Sequence, residues 1–253
     1  MTSIKTDAAR ILEICVESPR SVAAAIAGGA DQVELCAALA IGGLTPSAGL
    51  AQATIELCRV ADVKVRAMVR VRPGDFTYDA DELALSLADA RTLIAAGVDG
   101  VVFGAVHDDA LDVEALTRFV DAARTARGDI GLTLHRAIDV VADPVAAVEQ
   151  AIALGFDQIL SSGGQATAWT GRATLARMVD AAASRCRIVA GAGVQPDLAA
   201  QLLTDSQVDG LHGTARGEAT PIAEDRLCFG INPAATDAAI VQQLRQIIDS
   251  TCI

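Results

Sequence analysis

Aromatic side chains are scarce in this chain: one Trp, one Tyr and five Phe among 253 residues, 3% in all. Hydrophobic residues still make up 52%, which excludes an intrinsically disordered chain. Ala, Val, Leu and Ile must therefore fill the interior, as they do in buried β-α packings. Positive charge is also short. Twenty Lys and Arg stand against 32 Asp and Glu, a formal net charge of -12. That balance argues against a nucleic-acid partner or a broad anionic-membrane surface, while leaving room for a local basic pocket. No apolar run is long enough to span a membrane, because each is broken by Asp, Arg, Gly or Glu. The opening segment MTSIKTDAARILEI lacks the positive start and apolar core of a secretory signal. A cytoplasmic location without a membrane partner is expected. The six cysteines, at positions 15, 36, 58, 186, 228 and 252, include no CxxC pair. They do not demand a disulfide framework in a chain this long, and they lack the close ligand pairs of a structural zinc. No GxxxxGK[ST] occurs, and no GxGxxG follows the first strand, so no organic cofactor is predicted.

What is present is a regular alternation. Short apolar stretches with strand character run over Ile11–Cys15, Asp31–Leu35, Lys64–Arg70, Val98–Phe103, Ile130–His135, Phe156–Leu160, Arg187–Ala190 and Val208–Leu211. A stretch with helical period and caps follows each of them. Ser18-Pro19 reads as an N-cap with proline in the first turn, and Gly28-Gly29 as the stop. The last helix is expected over about 234–248. A signal recurs before strands: Gly28-Gly29-Ala30-Asp31, Ala96-Gly97-Val98-Asp99 and Leu154-Gly155-Phe156-Asp157. There glycine ends the helix and the acidic residue turns the chain into the next strand. Eight such cycles with short connections predict an α/β fold, a single (β/α)8 TIM barrel. No linker or low-complexity segment divides the chain. The expectation is one domain over 1–253, with 1–10 a flexible leader and 217–253 the closing segment.

In such a barrel the C-terminal strand ends meet at one face. This gathers residues that are remote in sequence. Leu132-Thr133-Leu134-His135-Arg136-Ala137-Ile138-Asp139 ends a strand in an acid-base cluster. Glu13, Glu34, His135, Asp139 and His212 are the candidates for proton transfer. For Glu13 and Glu34 the competing reading is salt bridging to Arg66 and Arg70. For His135 it is a satisfied buried histidine in a strand cap, and for His212 a hydrogen-bonded wall residue. Arg66, Arg70 and Arg136 can grip a carboxylate or phosphate. Ser162 and Gly163, in Ser161-Ser162-Gly163-Gly164, and Gly191 and Gly193, in Gly191-Ala192-Gly193-Val194, can turn backbone N–H groups toward an anion. They can equally serve as tight turns. Cys15 and Cys36 fall on neighbouring strands at matching depth, where two soft thiolates suit Cu(I) or simply fill the core. His107, beside Asp108 and Asp109, reads as a surface histidine.

Several of these segments resemble the CutC family. They are Leu12-Glu13-Ile14-Cys15, Gly29-Ala30-Asp31-Gln32-Val33-Glu34-Leu35-Cys36, Gly42-Gly43-Leu44-Thr45-Pro46-Ser47, Gly74-Asp75-Phe76, Leu134-His135-Arg136-Ala137, Asp139, Ser162-Gly163, Gly191-Ala192-Gly193-Val194 and His212. The resemblance spans roughly residues 11–249. It implies a cytoplasmic barrel, often a homodimer, associated with copper homeostasis, with Cys15 and Cys36 at the positions of copper ligands. The chain departs from the family pattern in Arg70-Val71-Arg72-Pro73-Gly74-Asp75-Phe76, where proline has moved, and in carrying Arg66 where a histidine is usual. The expected partner is therefore a copper ion. The alternative is a small phosphorylated or carboxylated metabolite, handled by a lyase or isomerase through acid-base chemistry.

Overall fold

The structure is a computed structural model and describes residues 10–217 and 234–251. The expected leader, apart from Arg10, and much of the expected closing segment lie outside the described residues, as do Cys228 and Cys252.

Eight parallel strands close into a barrel. In chain order the strands are β1 (Ile11–Val16), β2 (Gln32–Leu35), β3 (Lys64–Met68), β4 (Gly100–Phe103), β5 (Val106–His107), β6 (Ala110–Leu111), β7 (Gly131–Leu134), β8 (Gln158–Ser161), β9 (Arg187–Ala190) and β10 (Gly210–Gly213). The helices are α1 (Pro19–Ala27), α2 (Ala48–Ala61), α3 (Ala80–Ala96), α4 (Val113–Ala126), α5 (Pro144–Leu154), α6 (Arg172–Ala182), α7 (Pro196–Ser206) and α8 (Ala238–Thr251). The ring runs β1-β10-β9-β8-β7-β4-β3-β2, so the eight barrel strands lie in chain order and β10 returns to β1. The pair β5–β6 is a small antiparallel hairpin outside the barrel. It carries His107, which is exposed as expected. No helix among the described residues is long and apolar enough to cross a membrane.

Local chemistry sets the boundaries. Ser18, Ser47, Asp79, Asp112 and Asp143 each accept a backbone N–H at a helix start, satisfying donors that the first turn cannot pair. The recurrent acidic residue does more than turn the chain. Asp31 accepts the N–H of Leu12, Asp99 that of Val65, and Asp157 that of Leu132. Asp209 repeats the device on Ile188. Each carboxylate thus ties the start of one strand to its neighbour and fixes the parallel register at the closed end of the barrel.

The barrel interior near that closed end is polar. Gln32 donates to Glu13 and to Gln158, and Gln158 donates to Glu13 at 3.1 Å. Arg66 donates to Gln32 at 3.1 Å and to Thr133 at 2.8 Å, and pairs with Asp157 at 2.6 Å. Buried polar groups are costly unless bonded, and this plug bonds its members across five strands. Arg66, expected at the mouth, is thereby placed in the lower layer. It is the third residue of a five-residue strand, and its head group reaches down to Asp157, just before β8.

Candidate metal-binding mouth

Above the plug, β1, β2 and β10 bring four side chains together. Glu13 lies opposite His212, and Cys15 opposite Glu34. His212 Nδ1 is 2.7 Å from a Glu13 carboxylate oxygen, and its Nε2 is 3.9 Å from Glu34. The ligand atoms of Cys15, Glu34 and His212 all lie within 4.8 Å of one another, and all three residues are buried. Burial alone would raise Glu13, but the His212 imidazole bonded to it holds the carboxyl below its ordinary value. Burial opposes charge on His212 too, yet Glu34, Cys15 and Glu13 raise it well above the ordinary histidine value. Glu34 is pushed up to about 7, first by burial, with Glu13 adding to the rise against the lowering effect of His212. One of its oxygens, Oε1, has no partner.

A carboxylate that holds one ring nitrogen of a histidine and presents the other is the usual support of a metal-bound imidazole. Glu13 holds Nδ1, which leaves Nε2 facing Glu34. One sulfur, one nitrogen and one carboxylate oxygen make a donor set for a borderline or soft ion. The orphaned Glu34 oxygen and the converging donors fit such an ion.

The opposite wall is built differently. His135 directly follows β7, and its Nδ1 accepts the N–H of Ala137, so the ring proton sits on Nε2. Burial, then the nearby Arg70 charge, lowers its pKa to about 3. His135 is thus a neutral hydrogen-bond donor. Its ring packs on Phe76 at 4.7 Å between centroids. A Cβ on Gly104 would come within 2.5 Å of His135 Nδ1, so a residue without a side chain is required there. Arg70 donates to the carbonyls of Ile41, Gly43 and Gly74. Its fork pins the rim loops instead of standing open, although Nε keeps no partner. Between the walls lies a cavity of about 260 Å³ that reaches Cys15, Glu34, Arg70, Phe76, His135 and His212.

Other candidates are drawn into structure. Asp139 accepts from the Ser161 hydroxyl (2.6 Å), the Ser162 N–H (3.0 Å) and hydroxyl (2.9 Å), the Gly164 N–H (3.1 Å) and Arg136 Nε (2.7 Å). Its carboxylate therefore occupies the nest that the loop after β8 was expected to offer an anion. Ser162 is spent there, and Gly163 donates to the Ser161 hydroxyl. The expected proton-transfer role of Asp139 gives way to that of a buried staple, because donors surround both oxygens. Arg136 borders the cavity but is engaged by Asp139 and Ser162. Gly191 donates to the Ser161 carbonyl, and a side chain on it would collide with Leu160, so it serves packing and not an anion. Gly193 does line the cavity. Cys36 lies two residues beyond Glu34, the register partner of Cys15. The Cys36 sulfur lies 3.5 Å from Glu34 and packs with Met68 and Val102. Burial, then Glu34, pushes its thiol well above the ordinary value, which opposes a free thiolate there. Gln32, Gln158, Phe76 and Gly104 were not singled out for a site role; neutral amides and a strand-end glycine carry no signal of one.

The fold and this mouth define a (β/α)8 barrel with a buried sulfur, nitrogen and carboxylate cluster at the C-terminal strand ends. The sequence profile of the CutC family matches residues 10–217. A CutC family protein of Caulobacter vibrioides is 44% identical over 222 residues, covering 87% of this chain and 86% of that one. A CutC family protein of Sinorhizobium medicae is 40% identical over 246 residues, covering 95% and 96%. The chain belongs to the CutC family. A solved structure from Streptococcus agalactiae, provisionally named the copper homeostasis protein CutC, superposes with a TM-score of 0.76 at 27% identity, covering 81% of this chain and 98% of that one. The thiamine phosphate pyrophosphorylase of Pyrococcus furiosus, at 15% identity and a TM-score of 0.62 over 96% of each chain, shares the fold alone.

Proposed function

We propose that this CutC-family protein acts in copper homeostasis by holding a copper ion at the barrel mouth. Cys15, His212 and Glu34 are the ligands, and Glu13 fixes the imidazole. The observation that carries this reading is the convergence of those three ligand atoms within 4.8 Å, beside a cavity that gives the ion a way in. The name of the Streptococcus agalactiae relative supports the choice of metal. Cys36, the second expected ligand, packs with Met68 and Val102 and is left out of the set. The reading carries with it the cytoplasmic location and homodimer expected from the sequence.

The acid-base lyase or isomerase alternative loses much of its motivation. Arg66, Ser162, Gly163 and Gly191 are engaged inside the fold, and Asp139 is surrounded by donors. An anaerobic Cu(I) titration against a chromogenic chelator tests the proposal. The intact chain is expected to take one ion, Cys15→Ser to lose it, and Cys36→Ser to keep it. Unchanged tight binding in Cys15→Ser would remove the proposed site.

A further inference from the structure

Glu13 meets His212 at the mouth through one carboxylate oxygen, while the other, Oε2, belongs to the plug below. Gln32 and Gln158 both reach Oε2, and Arg66 reaches Gln32. Glu13, Gln32 and Gln158 are 0%, 6% and 0% exposed, so bulk water cannot replace a bond that points the wrong way. The direction of each bond follows from Arg66. Its guanidinium carries donors only, so the Gln32 atom 3.1 Å from Nε is the amide oxygen. Gln32 Nε2 is therefore turned to Glu13 and to Gln158. A donor there requires an acceptor opposite, so the Gln158 atom 3.2 Å away is its oxygen. Gln158 Nε2 is then left for Glu13 at 3.1 Å. Two N–H groups converge on Oε2, which favours the charged carboxylate. The proton between Glu13 Oε1 and His212 Nδ1, 2.7 Å apart, consequently lies on the imidazole. Nε2 is the nitrogen left on the side of Glu34. Arg66 is itself anchored by the Thr133 hydroxyl at 2.8 Å and the Asp157 carboxylate at 2.6 Å.

We propose that Arg66, Gln32 and Gln158 are positioning residues for the mouth. They act through Glu13 to keep a proton on His212 Nδ1 and to present Nε2 to the ion. Arg66 stands three hydrogen bonds from His212, along Gln32 and Glu13. A residue at position 66 that could both donate and accept would leave the Gln32 amide free to turn. An amide oxygen turned onto Glu13 would repel the carboxylate and loosen the imidazole it holds. The inference rests on the copper reading for the ion alone, because the hydrogen-bond directions stand without it.

The test uses the full chain with ¹⁵N-labelled histidine, metal-free and after anaerobic loading with Cu(I). In the unmutated protein His212 should keep its Nδ1 proton in both states, with Nε2 the nitrogen that shifts on loading. Gln158→Met, similar in length but without a donor, should move the Nδ1–H resonance of the metal-free protein. It should also weaken Cu(I) binding about 10–100-fold in chelator competition, the usual range for a group that supports a ligand, with the stoichiometry kept. Arg66→Met should act in the same direction, and Arg66→Lys, again a donor only, should restore most of the loss. A plug that only stabilises the barrel would shift the urea midpoint of these variants and leave resonance and affinity alone, which would overturn the proposal. An Nδ1 without a proton in the unmutated protein would overturn it too, and that reading needs no variant to fold. Failure of the copper reading looks different. The unmutated chain would then take no Cu(I), or Cys15→Ser would keep it, while Gln158→Met would still move the Nδ1–H resonance.

Discussion

Replacing Asp139 by alanine separates a buried staple from a free catalytic carboxylate. The side chain is only 5% exposed, and the substitution strips acceptors from Ser161, Ser162, Gly164 and Arg136. The costs are unequal. Gly164 is exposed and the Arg136 side chain is 41% exposed, so water can take over those donors. The Ser162 N–H and the Ser161 hydroxyl belong to residues that are fully buried. Ser161 keeps only a weak contact to the Met178 sulfur at 3.6 Å. Two stranded donors at about 1–3 kcal/mol each give an expected loss of about 2–6 kcal/mol. Asp139→Asn should cost nearly as much, because its amide nitrogen would face N–H donors and its lost charge would release Arg136. Urea unfolding followed by the single tryptophan, Trp169, reports on the neighbouring loop directly, and circular dichroism supplies the global transition. A loss below about 1 kcal/mol for Asp139→Ala with an unchanged denaturant slope would place the change among ordinary surface substitutions. It would also refute the staple.

Gly104→Ala should cost about 1–3 kcal/mol by overpacking. The new Cβ would meet His135 at 2.5 Å and Ala137 at 2.8 Å, so the His135 ring resonances should move with it. Equal stability and unchanged ring shifts would contradict that packing. The buried His135, depressed to about 3 from 6.5, binds fewer protons folded than unfolded. Its contribution is present above pH 6.5 and is lost as pH falls toward 3. Glu34, raised from 4.5 to about 7, acts oppositely: its contribution is present below 4.5 and is lost as pH rises through 7. The two overlap, so urea stabilities across pH should be compared with those of His135→Leu. The gap between the proteins should be flat above pH 6.5 and change only below it. A His135 imidazole seen by NMR to titrate near 6.5 in the folded protein would refute this.

Much of the barrel could be read from the chain because its signals are local. Caps such as Ser18 and Asp143 and the glycine-then-aspartate signal before Asp31, Asp99 and Asp157 mark element ends within a few residues. Depth along the barrel axis was not legible. Arg66 shares a face with Met68 and Arg70 but begins lower, and only the register reveals that it reaches Asp157. Nor does local sequence show that the Cys36 sulfur packs with Met68 and Val102. Asp139 illustrates a second limit. Its serine and glycine partners lie more than twenty residues away, so local sequence shows only an acid beside an arginine. The glycine loop then looks available, although a carboxylate of the same chain already fills it.

The most direct test of the proposed site is X-ray absorption at the copper edge of the Cu(I)-loaded protein. One sulfur scatterer with nitrogen and oxygen neighbours, lost in Cys15→Ser and unchanged in Cys36→Ser, is the predicted result. Two sulfurs in the first shell, with one lost in Cys36→Ser, would contradict the Cys15–Glu34–His212 assignment.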